Sequence, residues 1–340
     1  MRLKYLFAFV ILIGVVLTLY KVNTRSGYIT IRGEQFSTEL TELILFNENL
    51  SNEEIIPLRY MTNLTSLHLG SNQISALTPL ANLTNLVFLS LGNNQISDIA
   101  PLADLASLTV LLSHHNQISD VTPLASLTNL TMLYLNSNQI SDVTPLAGLT
   151  NLTTLYLNSN QISDITPLAN IRNLTHLRLS YNQISDITPF ADLTNLILLE
   201  IDENKISNIP PLINLTNLED LFLRDNQIVD ITNISHLTNL RAVDLSYNQI
   251  VDMANIAHLT NLRALILSNN QIVDIATLAD MAYLTNLSFV DLSYNQIVDV
   301  TPLVDLLSFT ETHRMHFSLA GNPIYDRTLI EHFTNVHIGM

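Results

Sequence analysis

The stretch LTNLTTLYLNSNQISDITPLA, residues 149–169, decides how this chain folds. Leu155 and Leu157 stand two apart, so a short strand turns both inward while Tyr156 faces out. Asn160 follows where the chain must turn. Its amide offers donors and an acceptor, enough to bond the backbone of its own coil and of the next. The run Thr166-Pro167-Leu168 then supplies a good N-cap followed by the residue favoured at a first helical position, which predicts a single helical or 3₁₀ turn. So short a unit cannot bury its apolar face alone; it needs copies of itself.

The copies are present. Asparagines that close the same L-x-x-L-x-L frame recur at Asn72, Asn94, Asn116, Asn138, Asn160, Asn182, Asn204, Asn226, Asn248 and Asn270, each 22 residues after the last. Asn295 and Asn322 follow at wider spacings. Parallel strands stacked about 4.8 Å apart, with wider turns behind them, curve into a horseshoe. The expected architecture is therefore an α/β solenoid with strands on the concave face and short helical or 3₁₀ turns on the convex face. It divides into a leader over 1–27, an N-terminal cap and first atypical coil over 28–63, the array over 64–300, and a last atypical coil with its cap over 301–340. In that last segment Leu329, Ile330 and Phe333 are spaced to cover the open end of the core, with Asp326 as a helix cap.

The repeat resembles the 22-residue leucine-rich repeat of bacterial internalins and of the leucine-rich regulatory subunit of protein phosphatase 1. The likeness spans roughly residues 40 to 325. It implies a protein partner held on the concave face, no catalysis and no cofactor. After the array these residues leave no room for an immunoglobulin-like domain, a departure from the internalin plan.

The first residues, MRLKYLFAFVILIGVVLTLYKVNTRSG, place Arg2 and Lys4 before an uncharged run from Tyr5 to Tyr20, then Lys21 and Arg25. Sixteen helical residues rise about 24 Å, and snorkelling lysines extend that toward the roughly 30 Å of a bilayer core. A hydrophobic helix serving as an uncleaved anchor is the first reading; a cleaved signal peptide is the second. Either sends the array outward, anchored or secreted, rather than to the cytosol. The formal charge is -16, with the few cations scattered, so nucleic acid is not an expected partner. The chain has no cysteine, which removes disulfides and thiol chemistry.

Outward strand positions carry the functional information, because the core does not dictate them. One column reads His68, Ser90, Leu112, Tyr134, Tyr156, Arg178, Glu200, Phe222, Asp244, Ile266 and Asp291. Exposed aromatics and arginine favour protein hot spots, so the expected footprint is Phe88, Leu112, Tyr134, Tyr156, Arg178, Glu200, Phe222 and Arg224. A protein is the first-choice partner, a glycan the second, and the array is expected to be monomeric.

Other features receive competing readings. The aspartates from Asp98 to Asp299 form a column that either takes calcium or braces each turn by an Asx-type bond; calcium wants six to eight converging oxygens, which favours the brace. His236 and His258 recur in adjacent coils and read as solvent-facing, since no further zinc ligand repeats beside them. The row Val229, Val251, Val273 and Val298 is read as the edge of the core or as a surface that pairs two molecules. N-x-T triplets such as Asn63-Leu-Thr65 and Asn129-Leu-Thr131 are formal glycosylation acceptors. In LLSHHNQ, residues 111–117, Ser113 takes a leucine place and Leu112 moves to the outer face, with His114 and His115 after it. No catalytic motif appears, and an intracellular scaffold resembling the phosphatase subunit is the alternative to an exported binder.

Overall fold

A computed structural model of the protein describes residues 27–280, 286–304, 315–330 and 336–337. The leader expected ahead of Gly27 lies outside the described residues, as does Phe333. Among the described residues no helix is long and apolar enough to cross a membrane.

Among the described residues the body is one parallel sheet of fourteen strands in strict chain order, from Glu42–Ile44 at one end to Val336–His337 at the other. Nearly every strand is three residues long, and the register never slips through the array. Leu112 faces Tyr134, Tyr134 faces Tyr156, and Tyr156 faces Arg178. In the coil quoted above, Leu149, Leu152, Leu155, Leu157, Ile162, Ile165 and Leu168 are all buried. They fill the space between the strand side and the return arm, so each coil contributes one layer to a continuous core.

The return arms are 3₁₀ turns such as Thr144–Leu146 and Thr166–Asn170. Their capping corrects the sequence expectation in one respect. Threonine is the first residue inside the turn and caps nothing; the cap position is an apolar residue such as Val143 or Ile165, with no side-chain bond. The aspartate two residues before the threonine does that work instead. Asp120, Asp142, Asp164 and Asp186 each accept the N–H of the residue two further on at 2.8 Å. This is the Asx brace, and it holds Asp142 and Asp164 below the ordinary carboxylate range, chiefly through hydrogen bonds from Thr144 and Thr166.

Asparagine joins coil to coil on the other side of the turn. Asn160 donates to the carbonyls of Leu157 in its own coil and Leu135 in the preceding one, and its Oδ1 accepts the Ile140 N–H. The pattern repeats from Asn72 to Asn322. The residue just before each ladder asparagine, for example Ser159 or Tyr181, is left-handed at φ near 57°. For a side chain other than glycine that costs roughly 1–2 kcal/mol, offset by the bonds the neighbouring asparagine makes.

A second ladder was not anticipated. In the L-T-N-L segment, which reads I-R-N-L around Asn173, Asn129, Asn151, Asn173 and Asn195 donate to the carbonyls of Ala106, Thr128, Thr150 and Arg172, all at 2.9 Å. Threonine hydroxyls of Thr131, Thr153 and Thr175 likewise reach back to the previous coil. The N-x-T triplets are thus a by-product of stitching between coils.

The ends are closed differently. Tyr28–Ile31 and Glu34–Ser37 form an antiparallel hairpin whose two-residue turn, Arg32-Gly33, has positive φ at both positions. Ile29 and Ile31 drop onto the first coil, and Arg32 clamps it through Glu54 at 2.6 Å and the Asn49 carbonyl at 2.7 Å. At the far end Asp326 accepts the Thr328 N–H and caps the turn Arg327–Leu329, with Ile330 fully buried and Leu329 packed against the core.

Candidate recognition face

The strand face presents two outward columns from each three-residue strand. The central column is furnished by stacking. Parallel register places Tyr134 beside Tyr156, and their rings lie 4.3 Å apart at 15°, close to the strand spacing itself. The Arg178 guanidinium continues the stack 4.6 Å above the Tyr156 ring, and its Nε lies 3.2 Å from Glu200. Burial, with Tyr156 alongside, pushes the Tyr134 hydroxyl up to about 12. A stacked, ion-paired row has lost much of its rotamer freedom in advance, so a ligand ordering against it loses little more.

The register sets Leu112 ahead of this row and Phe222 after Glu200, making one unbroken column from Leu112 to Phe222. Two of the expected residues stand elsewhere. Phe88 belongs to the neighbouring column, where its ring meets His68 at 4.6 Å, and Val110 and Met132 follow it in register. That second apolar column is the part sequence reasoning passed over, although the same L-x-L alternation marks it. Arg224 sits past the strand end, its guanidinium 5.0 Å from the Tyr247 ring. Tyr247 was invisible as a partner because ring and cation come from loop positions of adjacent coils.

Toward the later coils the face turns acidic. Asp202 is pushed up to about 7, first by burial and then by Glu200 and Asp244, although it accepts the Arg224 N–H at 2.8 Å. Asp220 and Asp244 are also raised, again mainly by burial.

Ser66, His68 and Glu42 lie close together. Ser66 Oγ is 3.2 Å and Glu42 Oε1 3.7 Å from the same imidazole nitrogen, Nε2. A relay needs the carboxylate at the opposite nitrogen, so this trio does not form one. Burial also lowers the His68 basicity. Among the described residues no group of three or more histidines, aspartates or glutamates converges as metal ligands would. His236 and His258 close their 3₁₀ turns in exposed positions.

The break at LLSHHNQ is built as the alternation requires. Ser113 is fully buried, its hydroxyl without a hydrogen-bond partner among the described residues, and Leu112 lies on the strand face. The His114 ring covers Gly92 of the preceding coil so closely that a Cβ there would collide with it. The valines Val229, Val251, Val273 and Val298 are 45–51% exposed, an open apolar row and not a buried edge.

Strand, asparagine turn and braced 3₁₀ arm, repeated in register, define a leucine-rich repeat solenoid. The comparisons agree. Family models described as leucine-rich repeats match residues 60–76, 84–126, 128–170, 172–214 and 210–339. An internalin from Listeria monocytogenes is 32% identical over 90% of this chain and 89% of its own, with a TM-score of 0.82. The chain belongs to the leucine-rich repeat family and is of the internalin type. A leucine-rich repeat protein of Leptospira interrogans is 26% identical over 81% of this chain and 72% of that one, TM-score 0.72. A plant peptide hormone receptor, RGFR1 in complex with RGF2, shares the fold at 22% identity over 84% and 60% of the two chains, TM-score 0.58. No curated protein matches.

Proposed function

We propose that this protein is a non-enzymatic recognition protein, exported and anchored in a membrane or secreted, which holds another protein on its strand face. The footprint is Leu112, Tyr134, Tyr156, Arg178, Glu200 and Phe222, flanked by Phe88 and Arg224. The observation that carries the reading is the continuous stack of Tyr134, Tyr156 and Arg178. Nothing in the repeat requires rings or a guanidinium at outward positions, and such groups on a rigid surface dominate binding energy where they occur. Export is supported by the hydrophobic leader in the sequence and by the likeness to an internalin.

Replacing Tyr134→Ala and Tyr156→Ala together tests the footprint. The doubly substituted chain is expected to melt where the parent does and to lose the proteins the parent captures. Equal capture by both forms would refute this assignment.

A further inference from the structure

The strand face changes character along its length, and the change is ordered. In the central column the register runs Glu200, Phe222, Asp244, Ile266 and Asp291, so acid and apolar residues alternate coil by coil. Acids in alternate coils stand about 10 Å apart at the usual strand spacing. Asp202 and Asp220 add carboxylates in the flanking positions.

Three of the nearby cations are already engaged, and Arg224 only partly offsets the charge of Asp202 and Asp244. Arg178 is held by Glu200 and the Tyr156 ring, Arg224 lies on Tyr247, and Arg241 is paired with Glu219 at 2.6 Å. Asp202, Asp244 and Asp291 instead accept backbone N–H groups, from Arg224, Ser246 and Ser293. Such bonds orient a carboxylate without neutralising it. Burial raises the proton affinity of Asp202 and Asp244 first, and neighbouring acids add to it, Glu200 and Asp244 for Asp202 and Asp291 for Asp244. Charge crowded in this way is relieved by a cation arriving from outside.

We infer that the partner segment docking on this face is basic: an apolar anchor seats on Tyr134 and Tyr156, and lysine or arginine side chains about 10 Å apart, with an apolar residue between them, meet Asp244 and Asp291. The inference rests on the strand face being the recognition surface, and it adds the sign and spacing of the partner's charge. The whole chain, at -16, repels acidic competitors at long range.

The test uses a random peptide display library selected against the full chain, with the enriched peptides synthesised and their affinities measured by fluorescence anisotropy. Three forms are compared: the parent, Tyr134→Ala with Tyr156→Ala, and Asp244→Asn with Asp291→Asn, in which the amide oxygen keeps the Ser246 and Ser293 bonds. Basic peptides are expected, weakened on the order of tenfold by the asparagine pair and by raising salt from 50 to 500 mM, and lost in the alanine pair. Neutral or acidic peptides that the alanine pair abolishes but the asparagine pair does not would overturn the basic partner and leave the strand-face reading intact. Peptides indifferent to both pairs would overturn both.

Discussion

Asp202 shows how a single side chain registers its neighbourhood. Its folded pKa is raised to about 7 from its ordinary value of 3.8, so between those limits the folded protein keeps a proton that the unfolded chain has released. Stability from this group is therefore fully present below about pH 4, declines as pH rises between about 4 and 7, and is lost once pH passes the folded value. Asp202→Asn preserves an acceptor for the Arg224 N–H and removes the charge. The variant is expected to be more stable than the parent at pH 8, by about 1–3 kcal/mol after allowing for partial exposure, with no difference near pH 4. Urea titrations at the two pH values read this directly. A variant no more stable at pH 8 than at pH 4, relative to the parent, would contradict the assigned protonation.

At the scale of the element, the coil is held by amide ladders more than by helix or strand. A three-residue strand is below the length that stands alone, and a 3₁₀ turn of three residues has little intrinsic stability. Asn160→Ala strips the Ile140 N–H of its acceptor and takes one of two donors from the carbonyls of Leu135, Leu157 and Asn158, which keep Asn138, Asn182 and the Ser137 N–H. The expected cost is about 2–4 kcal/mol, with the Ile140 amide exchanging faster than amides several coils away. Unchanged exchange at Ile140 would mean that water replaces the ladder without loss. The coil was largely legible in the sequence, because leucines at fixed intervals leave one way to bury them and a repeated asparagine has one place to stand. The opening hairpin was legible too, in the alternation of Ile29 and Ile31 before Arg32-Gly33, but its signal was eclipsed by the period that follows. The L-T-N-L asparagines show only a triplet in the sequence, because their bonds to the previous coil exist only once the coils are stacked. The site was half legible: Tyr134, Tyr156, Arg178 and Glu200 share a column by arithmetic, whereas Arg224 over Tyr247 depends on where loop side chains swing.

Across the whole molecule, stability is a chain of contacts between nearest neighbours, so the weakest plane governs how the stack fails. That plane is expected at Ser113, where adjacent coils supply Leu91 and Leu135 to the core and this one supplies a buried hydroxyl without a partner among the described residues. Ser113→Leu is expected to raise stability by about 1–3 kcal/mol and to sharpen unfolding, since the two flanking blocks would then separate less readily. Circular dichroism during heating, followed as one or two transitions, distinguishes the cases; a broadened or lowered transition in the variant would place the weak plane elsewhere.

The asparagine ladder also has a direction. Asn94 completes the bonding of Ile74, Asn116 that of Ile96, and so on toward Asn322 and Ile297, always a later residue satisfying an earlier one. As the chain is made, or threaded through a membrane with its N-terminus leading, each coil stays unfinished until its successor arrives and then locks it. The fold closes like a zip drawn in the order of synthesis, its growing end waiting for the coil that follows.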